Sequence, residues 1–97
     1  MESFFTFEFD GDIFFPFEQY TKEAAMNVAD NWYAETYLDT SQFNHGDSRS
    51  DMAFIVEYYY DDDDNEIVID KEKYVLYFEA YHGDFTGHTV WRKGGVL

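Results

Sequence analysis

The 97-residue chain carries 21 acidic residues against six Lys and Arg, a formal charge of −15, yet 45% of it is hydrophobic and 23% is Phe, Tyr or Trp. Chains of such charge density usually stay disordered because they lack apolar area, so the aromatic content instead predicts one folded domain with an aromatic core. The absence of cysteine excludes disulfides, thiolate metal sites and a Cys nucleophile.

The N-terminal segment predicts a β-hairpin. Residues 3–9 alternate Phe with other side chains, which is typical of a half-buried strand. The Asp-Gly-Asp sequence at 10–12 predicts a turn, and residues 13–17 are expected to form the partner strand. Pro16 cannot donate to a β-ladder, so this partner is expected to lie on a sheet edge or to end early.

A helix is predicted next. Thr21 is a suitable N-cap residue, and apolar side chains at helical spacing over residues 22–37 form a narrow stripe suited to packing on a sheet. The polar, turn-forming residues 38–50 predict a loop.

The second half of the chain predicts strands. They are expected at 52–60, 66–70 and 73–81, with a last short strand containing Phe85, Val90 and Trp91. Combined with the helix, they predict an α+β fold of two layers: an antiparallel β-sheet meander with one amphipathic helix packed on one face.

The acidic charge is unevenly distributed along the chain. Residues 1–70 hold 18 acidic residues and only two Lys or Arg, a balance of −16, whereas residues 71–97 hold three and four, a balance of +1. The charge disfavours direct binding of nucleic acid or anionic membranes and favours a basic protein partner. We therefore expect residues 1–70 to supply a continuous anionic face.

The amount of charge suggests imitation of nucleic acid. A globule of this length has an expected radius of gyration of about 12–13 Å and thus a diameter of roughly 32 Å. Duplex DNA of that length carries about 19 charges, which is close to the formal charge of this chain. The hypothesis is that the protein occupies a nucleic-acid-binding surface on its partner.

The densest acidic cluster follows the clearest strand, where four consecutive Asp exceed what a turn requires. Tyr59 and Tyr77 are expected on a solvent-facing surface beside glutamates, where their rings could stack on Arg side chains of a partner. The residues predicted to contact the partner are Asp61, Asp62, Asp63, Asp64, Glu66, Glu57, Glu8, Asp10, Asp12, Asp30, Glu35, Tyr59, Tyr77 and Glu79.

The same features allow other interpretations. The Asp61–Glu66 segment is also compatible with a solvated hairpin tip or a calcium loop with Glu72 at the twelfth position, although the glycine that such a loop needs is absent. His82, Asp84 and His88 lack a fourth metal ligand. Neither a nucleophile elbow nor a glycine-rich phosphate loop occurs, so no enzyme activity, cofactor or metal is predicted.

Small size, absence of cysteine, extreme acidity and an aromatic-rich α+β pattern together resemble the DNA-mimic inhibitors of phages and plasmids, the anti-CRISPR and anti-restriction proteins. This resemblance covers the whole chain. It implies a stoichiometric inhibitor that blocks the DNA-binding channel of a host defence complex, such as a CRISPR effector or a restriction enzyme.

Four alternatives remain open: an immunity-type inhibitor of a basic nuclease toxin, a small acidic cation-binding or interaction module, adaptation to high salt, and a subunit of a larger assembly. No secretory signal or transmembrane run is recognisable, which predicts a cytoplasmic protein. An aromatic edge strand at 13–17 would also allow a homodimer.

Overall fold

The computed structural model describes residues 2–38, 42–44, 46–80 and 87–94, with side chains from 90 onward in the last range. Its strands are β1 (Phe4–Phe9), β2 (Asp12–Ile13), β3 (Ser48–Tyr60), β4 (Glu66–Ala80) and β5 (Gly87–Lys93). They form one antiparallel sheet in the order β2-β1-β3-β4-β5, with helix α1 (Lys22–Trp32) packed against one face. The predicted α+β fold is confirmed, and the meander proper is β3-β4-β5.

Strict alternation in β1 and β3 decides which face is buried under α1. Phe7 pairs with Ile55, and both are almost fully buried together with Phe9 on the helix-facing side. Because successive strand residues point to opposite faces, the intervening residues lie on the other face, which we call the outer face of the sheet. Val56 and Tyr58 are fully buried on that face as well.

Helix α1 begins where the sequence predicted. The Thr21 hydroxyl accepts a hydrogen bond of 3.1 Å from the backbone N–H of Ala24, which satisfies one of the unpaired groups of the first turn. Ala25 and Ala29 are fully buried, so small side chains let the helix approach the sheet closely. The α-helix ends at Trp32, and a π-helical turn (Tyr33–Tyr37) completes the predicted span.

The predicted hairpin and its edge strand are confirmed, but the partner strand is shorter than the predicted span 13–17. Strand β2 contains only Asp12 and Ile13, and a 3₁₀ turn (Phe15–Phe17) follows. Pro16 explains the difference, since it has no backbone donor to extend the ladder. The chain instead returns to β1 through Gln19, which exchanges two backbone hydrogen bonds of 2.8 Å with Phe5.

The two strands predicted at 66–70 and 73–81 form a single strand, β4. A bulge interrupts its register opposite Glu57 and Tyr58, where Glu57 pairs with Asp70 and Tyr58 with Val68. Ile69 is therefore the extra residue, and the alternation of side chains between the two faces shifts by one residue at this bulge. Strand β3 also begins earlier than predicted, at Ser48. Phe85 lies outside the described residues.

The long β3–β4 hairpin makes the molecule elongated. The described residues span 51 × 24 × 20 Å, with a radius of gyration of 14.7 Å. This exceeds the value of about 12–13 Å expected for a globule of this length. Within the described ranges, no helix is long and apolar enough to cross a membrane.

Candidate protein-binding surface

Most of the cations are used in ion pairs within the fold. Lys22 Nζ lies 2.6 Å from Glu72 Oε1, and Lys71 Nζ lies 2.6 Å from Glu8 Oε1. Arg49 pairs with Asp51 at 3.1 Å, and Lys93 approaches Glu72 at 3.7 Å. Among the described residues, only these three acidic side chains have a Lys or Arg partner. The remaining described acidic residues present uncompensated charge.

One end of the molecule contains acidic residues without any Lys or Arg. We define this hairpin end as residues 57–70 with the two segments beside them, 2–5 and 18–20. Pairing of Phe5 with both Glu57 and Gln19 holds the three segments together. The acidic residues of the hairpin end number nine: Glu2, Glu18, Glu57, Asp61, Asp62, Asp63, Asp64, Glu66 and Asp70.

The density of charge at the hairpin end is comparable with that of duplex DNA. From Glu57 to Asp62 a strand advances by about 17 Å. Duplex DNA of that length carries about 10 charges, against nine acidic residues here. Averaged over its 51 Å length, however, the protein carries about half the charge of a duplex, which is about 30. The likeness to DNA is therefore local.

Asp61 has a structural role in the hairpin turn. Its Oδ1 accepts hydrogen bonds of 2.9 Å from the backbone N–H groups of Asp63 and Asn65. The bond from Asn65 contributes most to lowering the pKa of the Asp61 carboxyl. Asp62, Asp63 and Asp64 are exposed. Thus one aspartate shapes the turn, and the next three present their charge to solvent.

An aromatic cluster lies on the outer face of the hairpin end. Phe4 packs against Tyr58, Tyr60 and Tyr20, with ring centroids 5.6–6.0 Å apart. The hydroxyls of Tyr58 and Tyr60 both donate to Glu18 Oε1, at 2.8 and 2.5 Å. Tyr20 is 74% exposed at the edge of the cluster. The surface therefore combines carboxylates with accessible rings.

Three of the predicted contact residues lie differently from expectation. Tyr59 shares the helix-facing side of β3 with Glu57, whereas Tyr77 pairs with Ser50 on the outer face, so the two tyrosines do not share a surface. Glu8 was expected in the contact surface but is only 8% exposed and is paired with Lys71. Its position opposite Ile13 in the sheet accounts for this burial.

The other predicted acidic residues lie outside the hairpin end. Asp10 and Asp12 flank the β1–β2 turn, and Asp30 and Glu35 belong to α1 and the π-helical turn. Glu79 lies near the far end of β4, opposite Ser48. Acidic side chains thus occur on several surfaces, and the single continuous face expected from residues 1–70 is replaced by a concentration at one end.

The structure does not assemble the calcium loop considered above. The Asp61 carboxylate is occupied by the hydrogen bonds of its own turn, and Glu72 lies within the sheet opposite Ile55, in an ion pair with Lys22. In the part of the chain that the structure describes, no three His, Asp or Glu side chains are arranged to hold a metal ion. His82 and Asp84, and the side chain of His88, lie outside that part.

Sequence reasoning missed Glu18, Tyr20 and Glu2 as members of the surface. Each comes from a segment distant from the Asp61–Glu66 cluster, and only the Phe5–Gln19 bridge brings 18–20 beside the hairpin. The alternation of β1 predicted that Phe4 and Phe5 lie on opposite faces of the sheet. This was the one sequence signal that a second aromatic surface exists on the outer face. No protein-family model matches the chain, and neither does any curated protein or solved structure.

Proposed function

We propose that this protein is an acidic inhibitor that imitates nucleic acid and occupies the nucleic-acid-binding surface of a host defence complex, a CRISPR effector or a restriction enzyme, in the bacterial cytoplasm. The observation that carries the proposal is the hairpin end, where nine acidic residues and no Lys or Arg are gathered. A basic groove that normally neutralises phosphates would neutralise these carboxylates instead.

The distribution of cations supports this proposal. Four of the six are held in ion pairs with Glu8, Asp51 and Glu72, none of which belongs to the hairpin end. The ion pairs that neutralise acidic side chains therefore lie outside the proposed contact surface. Self-repulsion among the exposed Asp62, Asp63 and Asp64 would be relieved by Lys or Arg of a partner, which favours association.

The aromatic rings beside the carboxylates support the same kind of partner. Nucleic-acid-binding grooves pair cations that follow the backbone with side chains that stack on bases. Tyr20 and Tyr60 are exposed next to Glu18, so an Arg side chain could stack on a ring while its charge lies near a carboxylate. A purely charged tip would lack this second contribution.

The experiment compares two variants that lose the same charge. In the hairpin-end variant, Asp62→Asn, Asp63→Asn, Asp64→Asn and Glu66→Gln are combined. In the control variant, Glu23→Gln, Glu35→Gln, Asp47→Asn and Glu79→Gln remove four exposed charges elsewhere. Each protein is immobilised and exposed to bacterial lysate, and bound proteins are eluted with short duplex DNA or with salt of equal ionic strength.

The proposal requires that the wild type and the control variant capture a nucleic-acid-binding protein that DNA releases and matched salt does not. The hairpin-end variant should capture it at least tenfold less well, since several partly desolvated charge contacts are lost. If DNA and this protein bind the captured target together, or if both variants capture it equally, the proposed function is wrong.

An immunity-type inhibitor of a basic nuclease toxin would use the same surface, because its partner's substrate site is also basic. The captured protein distinguishes the two functions. A nuclease whose cleavage is blocked at one-to-one stoichiometry, in place of a defence complex, would establish this alternative.

A further inference from the structure

Within the described residues, one stretch of β4 next to the acidic turn of the hairpin end has a neighbouring strand on one side only. Strand β5 pairs with β4 only from Tyr74 onward, and the backbone N–H of Gly94 donates to the carbonyl of Lys73 at 2.7 Å. Between Glu66 and Glu72, β4 pairs with β3 on one side, and no described residue pairs with it on the other side. We call residues 66–72 of β4 the open edge.

The backbone of the open edge is oriented to accept another strand. The carbonyl of Lys73 points away from β3, toward Gly94. In an antiparallel ladder the N–H and C=O of alternate residues point to the same side. The backbone groups of Lys71 therefore also point outward, and within the described residues no strand meets them.

The side chains of the open edge select the chemistry of an incoming strand. Val68 and Ile69 are 37% and 51% exposed, which leaves apolar surface at the bulge. Glu66 and Asp70 flank them, are exposed, and have no described cation within ion-pairing distance. Val68 lies opposite Tyr58 on the outer face and Asp70 lies opposite Glu57 on the helix-facing side. A strand of alternating residues would therefore place apolar side chains beside Val68 and basic ones beside Asp70.

We propose that the open edge binds an extended segment of the basic partner, with alternating apolar and Lys or Arg residues, as a sixth strand of the sheet. This inference rests on the proposed function and adds a mode of attachment to it. Backbone hydrogen bonds would hold the segment, and the adjacent Asp61–Asp64 turn would attract it. A second copy of this chain is disfavoured as the occupant, because both copies carry a formal charge of −15.

The test uses a seven-residue peptide of alternating Lys and Val and a control peptide that is N-methylated at every residue. Both peptides have the same charge and side chains, but the control has no backbone donor. Titrations of the isotope-labelled protein are followed by amide chemical shifts. We expect the largest shifts at residues 66–72 and binding at least about tenfold tighter for the unmethylated peptide, since several backbone hydrogen bonds are involved.

Matched protein variants complete the test. Ile69→Lys places a positive charge on the open edge, which repels the Lys side chains of the peptide. It should weaken binding of the unmethylated peptide at least about tenfold. Met52→Lys adds the same charge at an exposed position on the outer face of β3 and should leave it nearly unchanged. Urea unfolding of both variants establishes that the fold is retained.

Three results would overturn the inference: equal binding of the two peptides, shifts confined to Asp61–Asp64, or a concentration-dependent dimer that protects residues 66–72. None of them bears on release of the captured target by duplex DNA, so the proposed function is judged separately. Conversely, the peptide could bind at the open edge while no target is released by DNA. That result would support the edge site and contradict the proposed imitation of nucleic acid.

Discussion

Tyr58 donates a hydrogen bond of 2.8 Å from its hydroxyl to Oε1 of Glu18, forty residues away in sequence. The tyrosine is fully buried on the outer face of the sheet, and Phe15 and Phe4 pack on its ring. This bond fixes the 18–20 segment against β3. It thereby links the stability of the fold to the position of a carboxylate in the proposed contact surface.

Tyr58→Phe should destabilise the protein by about 1.5 kcal/mol, the typical value for a hydrogen bond to a charged group. The free energy of unfolding is measured by urea denaturation at pH 7. Tyr60→Phe serves as the control, because Tyr60 is 38% exposed and its hydroxyl can be replaced by water. A loss as large for Tyr60→Phe as for Tyr58→Phe would show that burial does not strengthen this interaction.

Alkaline pH should destabilise the fold through its buried tyrosines. Burial is the main cause that raises the pKa of Tyr58 and Tyr33 above the ordinary value of 10.0, and hydrogen bonds to Glu18 and Asp51 add to it. The unfolded chain therefore releases these protons first. Their stabilising contribution is complete below pH 10 and declines as the pH rises above it, by about 1.4 kcal/mol per pH unit for each tyrosine.

Urea midpoints between pH 8 and pH 11.5 measure this decline. The double variant Tyr33→Phe and Tyr58→Phe should be less stable than the wild type at pH 8 but should lose stability less steeply above pH 10. Equal slopes would mean that other groups, such as the lysines in ion pairs, dominate the alkaline transition.

Much of this fold could be predicted, because period-two alternation in β1 and β3 reports directly which side chains are buried. The Thr21 cap was also predictable, because its hydrogen bond is to Ala24, only three residues away. Assembly of the hairpin end was not, since it depends on Gln19 pairing with Phe5 across the chain. The burial of Glu8 was also hidden, because its partner Lys71 is 63 residues away.

The Glu8–Lys71 ion pair should contribute to stability chiefly because the Glu8 carboxylate is buried. Lys71→Met leaves the Glu8 carboxylate, whose side chain is 11% exposed, without a cation and should cost about 2 kcal/mol. Replacing both partners, Glu8→Gln with Lys71→Met, should recover most of that loss. Urea denaturation of the two single variants and the double variant completes the cycle, and additive losses would mean that the two side chains do not interact.

Salt should stabilise the protein at pH 7. Repulsion among uncompensated carboxylates opposes the compact state and is screened as ionic strength rises, whereas only three acidic residues of the described chain gain from ion pairs. Raising NaCl from 0.01 to 0.5 M is expected to increase the free energy of unfolding by about 1 kcal/mol or more. If folding instead required molar salt, adaptation to a saline environment would explain the acidity, and the case for a contact surface would weaken.

Two aspartates of the hairpin turn should respond oppositely to substitution. Asp64 has φ 62°, in the left-handed region that Asn tolerates well, and its neighbours are acidic, so Asp64→Asn should raise the melting temperature by about 2–4 °C. Asp61→Ala removes the acceptor of two backbone N–H groups and should lower it by about 4 °C, whereas Asp61→Asn retains an oxygen acceptor and should change it little. Thermal denaturation by circular dichroism at low salt provides the measurement. Equal changes for Asp61→Ala and Asp61→Asn would show that charge at this position matters and the turn geometry does not.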